Sequence, residues 1–240
     1  MNNRDKRSLV MCLAMGDGCL HYIRNAGKLY GGLTIGHCKE QADILKWKAS
    51  LLSKIFNRTV NVRPQSNGAL QVSVCVKRLR SWRKWCYPNN SKDLSRMLRF
   101  VEHPEMALAM LLIDDGYIEP SISKIKSGKK LYGGRVRIYL CSESIESLDK
   151  IRLWFSDNFN VNVKFGSQKS SKRNKHYPYL KFGQADSLKL WEYVREFILQ
   201  FKSMRYKFRY IETIYQQRLL QRQTLEKGDD IVSARSNTGI

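Results

Sequence analysis

The sequence predicts an α+β protein made of two copies of one unit, each running helix, strand, strand, helix, strand, strand, helix. Three observations predict it. The pentapeptide KLYGG stands at 28 to 32 and again at 130 to 134, strand-like alternation follows each copy, and an apolar helical run ending in Asp-Gly precedes each copy. Self-similarity over roughly a hundred residues is the mark of a tandem duplication.

The elements follow in order. VMCLAMGDGCL closes the first helix, and CLHYIRNAGKLYGGLTIGH reads as a hairpin whose two faces the alternation does not assign. QADILKWKASLLSKIF has helical periodicity and leads into VNV at 60 to 62. After a turn at Asn67 and Gly68, LQVSVCVK alternates with Leu70, Val72, Val74 and Val76 inward and Gln71, Ser73, Cys75 and Lys77 outward. Leu79 and Trp82 begin the last helix of the unit.

The second unit repeats this plan. LAMLLIDDGYI is its first helix, and GRVRIYLCS alternates Val136, Ile138 and Leu140 inward with Arg135, Arg137 and Tyr139 outward, so the exposed face is cationic. SIESLDKIRLWFSDNF is the central helix, VNV recurs at 161 to 163 with Asn162 and Lys164 outward, and Leu188 and Trp191 match Leu79 and Trp82. The halves fall at 1–100 and 101–226. YPNNSKDLSRMLRFVEHP, rich in turn formers, reads as the linker, and 227–240 reads as a flexible tail.

Composition narrows the function. Forty-three Lys and Arg against twenty-one Asp and Glu give a net charge of +22 and a pI near 9.9, which selects polyanions as partners, nucleic acid first. No apolar stretch approaches the ~18 residues of a spanning helix, and the polar start MNNRDKRS has no secretory signal, so an intracellular setting is expected. The six cysteines form no CxxC pair, which argues against zinc and against a disulfide framework. The histidines, at 21, 37, 103 and 176, are scattered and read as surface or packing residues.

Carboxylates at a helix C-terminus meet the negative end of the helix dipole, and adjacent ones repel each other. Asp17 and Asp115 stand at matching ends of the two repeat-initial helices. If those helices pack side by side, which Ala14, Gly16, Ala107 and Ala109 are small enough to allow, the acids meet at one end, where a divalent cation is the natural counter-charge.

VMCLAMGDG and LAMLLIDDG resemble the two copies of the motif that names the LAGLIDADG homing endonucleases, in the single-chain branch with two motifs. The resemblance extends over nearly the whole chain. It implies two antiparallel four-stranded sheets forming a saddle over the DNA major groove, motif helices packed at the interface, and Asp17 and Asp115 as acids binding Mg²⁺, with Ca²⁺ or Mn²⁺ able to substitute. Gly16, through its carbonyl, and Asp114 are neighbouring ligand candidates, Asp114 being alternatively a supporting group behind the ligands or a plain helix-end residue. The sequence departs from the consensus at Met15 and Ile113, where the motif has its first Asp. Lys92 and Lys207 match the branch's one lysine per half, Lys202 competing with Lys207.

The resemblance implies a monomeric, sequence-specific endonuclease that breaks both strands of a long asymmetric double-stranded DNA site and leaves short 3′ overhangs, in an organelle or in a bacterial or phage cytoplasm. An RNA-splicing maturase binding its host intron without cleavage is the alternative. Base readers are expected on the outward sheet faces, at Gln71, Ser73, Lys77, Arg135, Arg137, Tyr139, Asn162 and Lys164. Lys172 and Arg173 lie in a basic loop suited to phosphates.

Overall fold

The structure is a computed structural model that describes residues 1–124, 130–140, 145–169 and 176–236. It contains the predicted unit twice. The first is α1 (Asn3–Met15), β1 (Gly18–Asn25), β2 (Lys28–His37), α2 (Ala42–Phe56), β3 (Val62–Pro64), β4 (Leu70–Val76) and α3 (Leu79–Cys86). A short helix α4 (Leu94–Leu98) joins it to α5 (Pro104–Asp115), β5 (Gly116–Lys124), β6 (Lys130–Tyr139), α6 (Ile145–Phe159), β7 (Val163–Lys169), β8 (His176–Phe182), α7 (Gln184–Leu199) and α8 (Arg205–Ser236). Each half carries one antiparallel four-stranded sheet, in the orders β1-β2-β4-β3 and β5-β6-β8-β7.

The duplication extends to fine detail. Gly18 pairs with Ile35 in one hairpin, and Gly116 with Ile138 in the other. Helices α2 and α6 each have 15 residues, end in Phe, and are followed by an asparagine at φ 50°, Asn57 and Asn160. Asparagine tolerates this left-handed conformation better than most residues, and its N–H closes the helix on the carbonyl of Ser53 or Ser156.

Helices α1 and α5 form the centre. Asn2 caps α1 by accepting the N–H groups of Arg4 and Asp5, and Pro104 opens α5 at a position that needs no N–H. Residues Val10 to Met15 and Ala107 to Ile113 are buried without a break, as a helix apolar on every side must be. The two helices pack against each other. The linker is itself structured. Leu94, Met97 and Leu98 of α4 are buried, and α4 packs on α1 and α6. Asp43 bridges the halves a second time, accepting from the N–H and the hydroxyl of Ser203. Helix α8 runs to Ser236, through most of the segment that has no apolar periodicity.

Each inward sheet face is covered by helices, and each outward face is open. Val72 and Val74 are buried while Ser73 is exposed, and Val136, Ile138 and Leu140 are buried while Arg135 is exposed. The unassigned first hairpin resolves the same way, with Leu33, Ile35 and His37 inward and Gly36 exposed. Among the described residues, no helix is long and apolar enough to cross a membrane.

Candidate active site

The site is built where α1 and α5 stop. At Gly18 an added Cβ would stand 2.3 Å from the Leu13 carbonyl oxygen, and at Gly116 2.5 Å from that of Leu112. Only glycine lets the strand turn back this tightly over the end of its own helix. The residue before each glycine, Asp17 or Asp115, is therefore fixed at the junction of helix end and sheet.

The two acids lie within one another's field. Burial, then the charges of Asp114 and Asp17, push the Asp115 carboxyl up to about 7. The Asp17 carboxyl, although 42% exposed, is raised as well, by burial and then by Asp114. A lysine stands at each helix end. Lys92 Nζ donates to the carbonyls of Gly16 at 2.6 Å and Met15 at 3.2 Å, and Lys207 Nζ donates to the carbonyl of Ile113 at 2.5 Å. Both ammonium groups thus meet the negative poles of the motif helices. Burial holds the Lys207 ammonium below the usual lysine range. Lys202, the competing lysine, is exposed at the start of a short 3-10 turn.

Behind the acids is a polar network in which the sequence pointed to Asp114 and not to its partners Lys48 and His37. The side chains of Lys48 and Asp114 are both fully buried, with Lys48 Nζ 2.7 Å from Asp114 Oδ1 and 2.9 Å from Oδ2. Lys48 Nζ also lies 2.9 Å from His37 Nε2. An ammonium can only donate, so Nε2 accepts, and the imidazole proton sits on Nδ1, 3.0 Å from Gln41 Oε1 and 3.6 Å from Asp17 Oδ2. Burial and then Lys48 lower the His37 pKa, in keeping with a neutral ring. Asp114 Oδ2 accepts the Asp17 N–H at 3.0 Å, and a Cβ at Gly16 would fall 2.2 Å from that oxygen. Gly16 is the space into which Asp114 fits. His37 is thus buried as a packing residue, and its ring belongs to the site.

A model of the LAGLIDADG DNA endonuclease family matches residues 7–190. The chain belongs to that family. Among solved structures, similar folds are those of the homing endonuclease I-WcaI bound to its DNA recognition sequence (15% identity, TM-score 0.59, 85% of this chain and 86% of that one) and the LAGLIDADG meganuclease I-AabMI bound to uncleaved DNA (10%, 0.55, 98% and 99%). I-DmoI in complex with DNA and Mn is similar at 17% identity and a TM-score of 0.50, over 80% of this chain and 97% of that one. A search of curated proteins gave no match.

Membership in the LAGLIDADG family implies a divalent metal, and the donor set fits one. Asp17 is partly open, and Asp115 stays raised, by burial and then by two neighbouring carboxylates, against the opposing charges of Lys92 and Lys207. Hard oxygen donors short of a cation suit an ion of the Mg²⁺ or Ca²⁺ type. Single ligand atoms of Asp17, His37 and Asp114 also lie within 4.8 Å of one another. That trio is already satisfied, because an ion there would have to displace the ammonium of Lys48 from both Asp114 and His37. The Gly16 carbonyl, engaged by Lys92, keeps a second lone pair.

Of the remaining expected residues of this LAGLIDADG endonuclease, those described lie on or beside the outward sheet faces. Ser73 and Lys164 are exposed on β4 and β7, Gln71 is half-buried, and Lys77 and Asn162 are exposed just outside their strands. Ser73 Oγ lies 3.2 Å from Thr34 Oγ1. Arg135 is exposed, whereas Arg137 is ion-paired to Glu119 and lies over the ring of Tyr179, 4.9 Å from its centroid. Tyr139 donates to Gln168 Oε1 at 2.7 Å. Register places Lys181 opposite Arg137 and Lys164, and Tyr179 opposite Tyr139, so Lys181, Tyr179 and Glu119 join this face without having been anticipated. The alternation in KHYPYLKF was the available signal for the first two. Lys172 and Arg173 lie outside the described residues.

Proposed function

We propose that the protein is a monomeric homing endonuclease that cuts both strands of a long, asymmetric DNA site in an Mg²⁺-dependent reaction, leaving short 3′ overhangs. Family membership supports DNA endonuclease activity. The observation that carries the finer reading is the meeting of Asp17 and Asp115 at the ends of α1 and α5, with one lysine on each helix end. Two acids in one chain match two scissile strands without a second subunit. I-DmoI is described in complex with DNA and Mn, which supports a divalent ion here.

In this reading Asp17 and Asp115 hold the metal, the Gly16 carbonyl completing the ligand set. A bound divalent ion would supply Lewis-acid stabilisation of the phosphoryl oxygens and a more acidic water. The chain's own residues do the rest. The outward faces of the two sheets align the duplex so that one phosphate faces each acid. Lys92 and Lys207 place positive charge where negative charge grows during phosphodiester hydrolysis. Arg135, Arg137, Gln71, Ser73, Lys77, Tyr139, Asn162 and Lys164 face the bases and backbone.

A plasmid carrying a site selected from a randomised pool tests this. Linearisation in Mg²⁺, with 3′ ends read by sequencing and loss in Asp17→Asn and in Asp115→Asn, is expected. Specific binding with no cutting in Mg²⁺ or Mn²⁺ would overturn the proposal. Host-intron splicing that survives neutralisation of both acids would instead favour the maturase alternative.

A further inference from the structure

The two halves are duplicates, but the surroundings of their acids are not. The matched pairs Gly18–Ile35 and Gly116–Ile138 make Ile35 equivalent to Ile138, and therefore His37 to Leu140. Lys48 is the seventh residue of α2, and Ile151 the seventh of α6, two helices of equal length with the same ending. Asp114, before the acid in α5, corresponds to Gly16, which follows α1. The buried network of Lys48, His37 and Asp114 thus has as its counterpart Ile151, Leu140 and Gly16, of which Ile151 and Leu140 are buried apolar side chains.

Both arms of that network end on one acid. Asp114 holds the backbone N–H of Asp17, and His37 faces its carboxylate at 3.6 Å. Lys48 joins the arms, because its ammonium donates to both. By the same equivalence, the counterparts of Lys48 and His37 on the Asp115 side are Ile151 and Leu140. Among the described residues, the fully buried charge pair therefore stands on one side of the pseudo-dyad. A buried ion pair is weak as a source of stability compared with well-packed apolar residues, and Ile151 and Leu140 demonstrate that this fold accepts the apolar version.

We infer that Lys48 is a positioning residue that acts, through the contacts of Asp114 and His37, on Asp17 far more than on Asp115, so that the two strand cuts have separable determinants. Nothing in the network touches the reacting atoms. It sets the orientation of one carboxylate, and removing it slows the cut that depends on that carboxylate far more than the other. The inference rests on the endonuclease reading above.

The test uses the full-length protein with a duplex selected from a randomised pool in Ca²⁺, each strand carrying its own end label. Lys48→Met and His37→Leu are compared with wild type in single-turnover cutting with Mg²⁺, and in Ca²⁺ titration of the uncut complex. His37→Leu leaves the Lys48–Asp114 pair in place and installs the second half's residue. The expected result is that one strand slows about tenfold or more relative to the other, with nicked product accumulating, and that one class of Ca²⁺ site weakens by a similar factor while the other holds. Equal slowing of both strands with an unchanged Ca²⁺ isotherm would reduce the network to packing and overturn the inference. Should Lys48→Met not fold, His37→Leu decides by the same two readouts. A wild-type complex that binds Ca²⁺ but cuts neither strand would overturn the endonuclease reading, and the Ca²⁺ titration would still decide the positioning role.

Discussion

Lys92 Nζ donates to the carbonyl oxygen of Gly16 at 2.6 Å, so a cation from the linker is seated on the last turn of a helix from the first half, one residue from the acid. Lys207 does the same for Ile113 at the end of α5. A charged hydrogen bond to a helix C-terminus contributes about 1.5–3 kcal/mol where buried. Lys92→Met and Lys207→Met are each expected to lower the unfolding free energy by no more than that. Cutting should fall roughly a hundredfold if the same ammonium stabilises the transition state. Denaturant unfolding beside single-turnover rates checks the split; a rate that falls only as far as the folded fraction would leave the lysines structural.

These lysines could be read from the sequence, and the network behind the acids could not, for a physical reason. Asp17 and Asp115 are placed by the duplication, which fixes where each unit's helix ends, whereas Lys92 and Lys207 follow from the resemblance to the LAGLIDADG family. The alternation of β4 and β6 likewise fixed their outward faces, because one face is buried and the period is two. Lys48 did carry a signal, since it lies on the stripe formed by Ile44, Leu45 and Leu52, where a lysine should not be buried alone. Its partner Asp114 comes from the other half, and no local pattern links residues that meet only when α2 packs beside the end of α5. His37 hid the faces of its own strand, because a polar residue at an inward position breaks the alternation. The linker's turn formers concealed α4, whose stability comes from packing against α1 and α6 rather than from its own composition.

The raised Asp115 carboxyl has a consequence for stability. Its value is about 7 in the folded protein against 3.8 for an ordinary aspartate. An acid raised by folding favours the folded state below 3.8, and that contribution is lost as pH rises through 7. Asp115→Asn removes the ionisation. In chelator, the variant is expected to melt higher than wild type at pH 8, with the gap closing toward pH 4. Mg²⁺ should raise the wild type toward the variant at pH 8, because the ion favours the carboxylate. Thermal melts at several pH values, with and without Mg²⁺, measure this, and a gap that does not change with pH would count against the crowding of carboxylates.

Charge predicts a second dependence. With a net charge of +22 and cations along the open sheet faces, the protein should bind DNA with an affinity that falls linearly with log salt. Lys164 is exposed on β7, and a phosphate is its expected contact in bound DNA. Lys164→Ala is expected to weaken binding about equally for selected and unrelated duplexes and to reduce the salt slope by about 1. Fluorescence anisotropy across a salt series measures both. A loss confined to the selected duplex would make Lys164 a base reader instead.

Arg137 and Glu119 predict where sequence specificity is set on the second sheet. Arg137 lies half-buried over Tyr179 and ion-paired to Glu119, and the hydrogen bond from Arg137 holds the Glu119 carboxyl below the usual range. A guanidinium fixed in this way loses little freedom on meeting a base edge, and its fork fits guanine O6 and N7 in the major groove. Arg137→Ala is expected to cost about 1–3 kcal/mol at a single base pair and to leave the other positions of the site unchanged. Glu119→Gln keeps the shape and removes the charge that pins the guanidinium, so it should relax preference at the same base pair without abolishing binding. Lys181 lies 3.9 Å from the other carboxylate oxygen of Glu119, and its loss should have a smaller effect at that position. Binding-site selection with each variant, read as per-position preference, decides. If Arg137→Ala and Glu119→Gln changed preference at different base pairs, the ion pair would not be the reading unit, and each side chain would have to contact DNA by itself.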